Sequence, residues 1–466
     1  MEIFIYIFAA ILGVALLFVL IEHPYYVAGL VIFMMVYRFN IETPLPLDAR
    51  GLLTLILFIR LYVFDKRNAS IVNTYLPRNK VFWLILVFTL IVIIMPVINS
   101  EKFTSLLKEI ILNLVVLVIG FLVLMDEKGK KVFLYSILAV SITSSMDLIY
   151  TYIIGGGLNI VRVVDVLMRK QLLFPINHNF SGMLSSLGLL FIYLLYARKE
   201  LPKLLLVILG TLFFAALILS TSRSALLAFI LVFILMNFIE VDLKENIRKF
   251  VMYGVGAVSF LVIFFFMYNL FLKTQSKNQF VDKIYYRLID EPLQIFGLSD
   301  TKDFDFYSHK KKQGSMKFRA EKWGEDFKKF RYLSLSVQGF GLGPKKYSEI
   351  SKKEYRNAGK FAGDFKRQLA AHNGYLIILV ERGVLGLTLY LLILISISVS
   401  AFKVIKHYQL KTPVIYLYLF IAFYSFAQNS ELVGVYAYLL MGGVLGNIYS
   451  ANSSNEDIDE LEDNIL

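Results

Sequence analysis

His372 and Asn373 stand where a long basic loop, 273–371, gives way to an apolar run, and nine residues after the histidine Glu381 and Arg382 interrupt that run. Ionisable groups at a membrane boundary are costly to desolvate, so a cluster of them there is a candidate functional site. Histidine titrates near neutrality, which suits it to take or return a proton. The plainer reading is an interfacial histidine, with Asn373 capping the helix that follows. Arg223 is a further charge in an unusual place, on a tight turn between the apolar runs 203–219 and 224–239.

The elements that must hold these residues are read from hydropathy. The 466 residues are 58% hydrophobic with a mean hydropathy of +0.66, far above a soluble globular chain. Thirteen apolar segments recur, beginning with 3–21, 25–37 and 51–64 and ending with 384–401, 413–427 and 432–449. The fold class is therefore all-α: a polytopic transmembrane helical bundle of about 12 spans, because the segment at 25–37 is short for a full crossing. The run at 3–21 has neither a basic flank nor a small-residue cleavage site and predicts a retained span.

Four regions follow: N-terminal transmembrane helices over 1–272, a basic loop domain over 273–371, C-terminal transmembrane helices over 372–449, and a disordered acidic tail over 450–466. The loop holds 22 Lys+Arg against 12 Asp+Glu, a balance of +10 within a whole-chain charge of +13. Short basic loops near 65–80, 128–131, 198–203, 244–249 and 403–411 fall on alternate sides, which places them in the cytoplasm and the long loop outside. Its 318–333 stretch is amphipathic, with Phe318, Trp323 and Phe327 able to share a helical face, so the loop is expected to form a mostly helical external cap. The charge points to membrane lipids or a phosphate-bearing substrate, with no nucleic acid as partner. The absence of cysteine excludes disulfides and thiolate metal sites.

Taken in order, SRSALLAFIL at 222–231, FRAEKW at 318–323, GFGLG at 339–343 and AHNGYLIILVERGVLGL at 371–387 resemble the O-antigen ligase and O-antigen polymerase family of bacterial surface-polysaccharide enzymes. The last block carries the family's His-Asn-x-Tyr-Leu, Glu-x-Gly and Gly-Leu pattern and is the most specific. The resemblance implies a multi-pass inner-membrane glycosyltransferase of the inverting, metal-independent C type, with its active site on the periplasmic face and no cofactor. Its donor would be an undecaprenyl-diphosphate-linked glycan and its acceptor a glycan or lipid-linked sugar. Departure of the lipid diphosphate develops negative charge, and guanidinium forks match phosphate geometry. Arg223 fits that role, with a snorkelling arginine as the alternative. The family's essential loop arginine before a tryptophan falls on Arg319, with Trp323 at i+4, and its essential histidine on His372, which would act as general base. Asn373 would orient the imidazole, contact substrate or cap the helix. A repeat-unit polymerase is the first reading, because a large basic cap could hold two diphosphate-bearing molecules, and a ligase onto lipid A–core is the second.

Other signals carry less. Asp303-Phe304-Asp305 resembles a metal-binding Asp-x-Asp without a strand context, and the five histidines show no ligand spacing. His178-Asn179 repeats the His-Asn pair without the Glu-x-Gly continuation, while Arg60 and Asp147 are charges within apolar runs. A lipid-linked glycan flippase is the rival from another class. It would show repeated halves and no long external loop, opposite to what this chain has.

Overall fold

The computed structural model describes residues 22–37, 49–98, 104–154, 178–197, 201–220, 222–240, 316–343, 373–408, 414–426 and 434–463. Every regular element among them is helical. In chain order these are α1 (Pro24–Tyr37), α2 (Ala49–Phe58, continued by a π turn at Ile59–Val63), α3 (Lys66–Tyr75), α4 (Lys80–Ile98), α5 (Thr104–Met125), α6 (Glu127–Ile154), α7 (His178–Ala197), α8 (Lys203–Ser220), α9 (Arg223–Glu240), α10 (Met316–Arg331), α11 (Leu335–Phe340), α12 (Gly374–Tyr408), α13 (Val414–Tyr424) and α14 (Val435–Asp463).

Among the described residues six helices are long and apolar enough to cross a membrane: Lys80–Ile98, Leu106–Met125, Glu127–Tyr150, Asn179–Tyr196, Lys203–Ser220 and Gly374–Ile405. Gly51–Val63, Arg223–Ile239 and Val414–Tyr424 are apolar but shorter. At 1.5 Å per residue, 17 residues reach about 25 Å against a hydrocarbon core of about 30 Å, so segments read as full spans from composition fall short by length. The expected spans at 3–21 and 250–272 lie outside the described residues. Six spans among the described residues thus stand where the sequence predicts about twelve over the whole chain. α14 runs on through Asp463, across the acidic stretch for which composition predicts disorder.

Turn chemistry sets the helix starts. The Asp65 carboxylate accepts from the Arg67 and Asn68 backbone N–H groups at 3.1 Å and caps α3. Asn79 caps α4 through Val81 N–H at 2.9 Å, and Asp126 caps α6 through Lys128 and Gly129. Each supplies an acceptor to N–H groups that the first turn leaves without one.

The chain divides into two compact units, Met1–Ile137 with Trp323–Leu466, and Leu138–Lys322. In the first, α5 and α14 are locked by small residues. A side chain on Gly442 would overlap the Leu117 carbonyl, one on Gly446 the Phe121 carbonyl, and one on Gly120 the Leu439 carbonyl. This Gly-x-x-x-Gly ridge lets two helix backbones touch, which is the efficient way to pack helices where lipid offers no hydrophobic driving force. In the second unit, Gly188 of α7 leaves room for the Phe213 ring of α8. A polar seam joins α6 to α7 there, through Ser144 to Ser181 at 3.2 Å and Ser145 to Ser185 at 2.9 Å. Asp147 is buried in the same unit.

Candidate functional site

α12 starts directly after the His372-Asn373 pair of the 371–387 block. Asn373 is buried, and its Oδ1 accepts the Leu376 N–H at 3.0 Å. The Gly374 N–H donates to the Ser425 carbonyl at 2.7 Å, and the Tyr375 hydroxyl donates to the Ala422 carbonyl at 3.0 Å. The first N–H groups of α12 are therefore satisfied by a side-chain cap and by the end of α13. His372 itself lies outside the described residues; what is fixed is the capped helix start next to it. The capping role expected of Asn373 is present, with Oδ1 committed to the helix.

The cap of the basic loop docks onto this helix. Phe330 of α10 is buried against Leu376, Ile377, Leu379 and Val380, with Trp323, Leu333 and Leu342 packed around them. Trp323 meets the Phe426 ring edge-on at 6.0 Å, and Phe426 in turn meets Tyr375 at 6.2 Å. Trp323 therefore stands beside the capped start of α12. Arg319 is a turn earlier on α10, where the backbone is helical and the side chain lies outside the described residues.

The Gly-rich turn and the Glu-x-Gly motif form one joint. Gly383 has φ +70° and breaks α12, so the Val380 and Glu381 carbonyls are available to another partner. The Leu342 N–H donates to Val380 O at 2.8 Å and the Gly343 N–H to Glu381 O at 3.0 Å. Gly341, at φ +82°, lies against the 381–382 peptide, and a Cβ on Gly383 would overlap the Gly339 carbonyl. Both positions need glycine twice over, for the left-handed backbone and for the close approach. The sequence reading treats GFGLG as a turn by itself; its partner, the break at Gly383, is a relationship that no local pattern carries.

Arg382 is the residue whose role the structure reveals. It is buried, donates from Nη1 to the Phe88 carbonyl at 2.7 Å, and lies 4.2 Å from the centroid of the Phe88 ring. The contact falls just before α4 tightens into a 3₁₀ turn at Ile91–Ile93, while Gly386 leaves space for the arginine stem. In the sequence Arg382 is part of an ionisable cluster at the membrane boundary; in the fold its charge is housed between α4 and α12.

Arg223 belongs to the other unit. It is the first residue of α9 and half-buried between the buried Ser222 and Ser224. Ser220 shapes the turn, donating to Leu217 O at 2.6 Å and accepting the Ser222 N–H at 3.2 Å. Gly182 of α7 lies so close to Ser220 and Ser222 that any side chain there would push the turn away. The arginine is thus mounted on a turn fixed from both sides. Asp303, Asp305 and the His178 side chain lie outside the described residues.

Residues 208–391 match the family model described as O-antigen ligase. Over this stretch the chain is similar to the O-antigen ligase family. The matched region runs from α8 to the middle of α12 and so contains Arg223, Arg319, Trp323, the 339–343 turn, His372, Asn373 and the joint at Gly383. No curated protein matches the chain. The match and the apolar helices point to a membrane protein, and the matching family is a glycosyltransferase-like enzyme family whose members act on lipid-linked glycans.

Proposed function

We propose that this protein is an inner-membrane glycosyltransferase that moves a glycan from undecaprenyl diphosphate to a sugar hydroxyl at the periplasmic face. Arg223 and Arg319 bind the diphosphate and stabilise its departure, because planar guanidinium forks match the oxygens on which charge develops. His372 takes the acceptor proton as general base, and attack from the face opposite the leaving diphosphate inverts the anomeric carbon without a metal. Trp323 and Asn373 line the site. The observation that carries this reading is the docking of α10 onto the start of α12. Trp323 and Phe330 of α10 pack on Leu376, Ile377, Leu379 and Val380, beside the capped turn that follows His372, which supports this reading.

Within that chemistry the repeat-unit polymerase is our first reading, since a basic cap of +10 offers charge for two diphosphate-bearing molecules. The second reading is a ligase that delivers the glycan to lipid A–core, and the family match over 208–391 is compatible with either. Purified protein in liposomes with lipid-linked repeat unit as the sole sugar substrate separates them. A polymerase makes a ladder of longer lipid-linked chains. A ligase makes product only when lipid A–core is added. Transbilayer movement of the repeat unit with no new glycosidic bond would replace both with a flippase.

A further inference from the structure

The turn joining α10 to α11 carries the most exposed large apolar side chains among the described residues. Tyr332 is 90% exposed and Leu335 85% exposed. Phe327, Lys328 and Arg331 are exposed on the preceding turn of α10, with Glu325 the exposed acid on that helix among the described residues. An aromatic and a leucine presented to solvent beside two cations would be an aggregation liability in water. The same composition is what an interfacial membrane segment needs.

The position of this corner fits that environment. α11 is six residues long, about 9 Å, and the turn at its far end is bonded to Val380 and Glu381. Directly beyond, Val384 and Leu385 are exposed on α12, at the start of its outward-facing apolar stretch. α11 also lies against the end of α4, where Val97 and Ile98 are exposed. The exposed corner therefore lies next to exposed apolar side chains at one end of two helices long and apolar enough to cross a membrane. Tyrosine is favoured at that depth, with its ring in the boundary and its hydroxyl in water.

We propose that the corner Phe327–Leu335 is a membrane-interface anchor: Tyr332 and Leu335 enter the headgroup–acyl boundary, and Lys328 and Arg331 pair with the phosphates of anionic phospholipids. The anchor holds α10 at a fixed depth, and with it the Trp323 and Phe330 side chains that dock on α12. This needs only the membrane location and is independent of the transfer chemistry proposed above.

The chain has no cysteine, so a fluorophore on Leu335→Cys reports from one site in the full-length protein. In nanodiscs containing phosphatidylglycerol, a lipid with a quencher near the headgroup should lower its emission at least two-fold and aqueous iodide should quench it weakly. Lys328→Glu with Arg331→Glu should restore iodide quenching. Full iodide access with no lipid quenching in the parent protein overturns the anchor. So does shielding from iodide without lipid quenching, which means a protein surface covers the corner. Lipid quenching that appears only after lipid-diphosphate glycan is added overturns it in favour of a donor site, and equal quenching in neutral and anionic nanodiscs overturns the phosphate pairing.

Discussion

Arg382 and Phe88, far apart in sequence, form a two-point clamp in which one guanidinium serves both the carbonyl and the ring of the same phenylalanine, at 2.7 Å and 4.2 Å. A charge buried among apolar helices is tolerable when its protons meet an acceptor and its face meets a π cloud. The clamp ties α4 to α12 one residue before the break at Gly383, so it steadies the joint on which the loop cap sits.

Arg382→Ala should destabilise the protein by about 3 kcal/mol, combining a lost charge-assisted hydrogen bond with a lost cation–π contact. Arg382→Lys keeps one donor and the charge and should recover part of the loss. Thermal unfolding in detergent checks this, and a variant as stable as the parent would show that the clamp carries no weight.

The joint itself predicts a contrast among glycines. Gly341→Ala and Gly383→Ala each place a Cβ into opposing backbone at a positive φ, whose strain alone costs about 1–3 kcal/mol. Gly324 is helical with open space around it, so Gly324→Ala should be neutral or stabilise by up to about 1 kcal/mol. Limited proteolysis of the loop reads this out, with faster cleavage expected in the first two variants and unchanged cleavage in the third.

At the start of α12, capping and catalysis can be separated. His372→Ala should lower glycan transfer by about 10²–10⁴-fold with the fold intact. Asn373→Ala should cost about 1 kcal/mol of stability, while Asn373→Asp keeps the acceptor and should restore the cap. If Asn373 also contacts substrate, Asn373→Asp will be stable yet slow, and paired measurements of unfolding and transfer rate distinguish the two cases.

For the arginines, Lys at 223 or 319 keeps the charge and loses the planar fork, so both variants should be severely impaired and Ala should be worse. Lys311→Ala and Lys352→Ala should lose little. Donor binding and synthesis in liposomes provide the measurement. Equal losses at all four positions would mean a diffuse basic surface in place of a diphosphate clamp.

Orientation is open to direct labelling. Cysteine at Ser308, in the long loop, should react with an impermeant thiol reagent in cells with a permeabilised outer membrane, and cysteine at Asn452, exposed on α14, should not. The reverse pattern would invert the proposed topology.

Hydropathy alone pointed to a helical membrane protein, because an apolar run long enough to cross a bilayer satisfies its own backbone hydrogen bonds there as a helix, and every regular element among the described residues is helical. Local chemistry likewise marked the capping asparagine, since an Asn before a helix start acts within one turn. The blocks around Arg223, Trp323 and His372 could be picked out in order for the same reason: each is a short run of residues. What the tertiary structure decided is how the blocks meet. The turn at Gly341 and the break at Gly383 are unremarkable separately, and only packing α11 onto α12 turns them into complementary halves that exchange N–H groups for carbonyls. Arg382 looked like chemistry because a charge in an apolar run has no local partner. Its partner is a carbonyl on α4, and a backbone acceptor leaves no trace in side-chain identity, so that pairing becomes visible only when the helices are assembled.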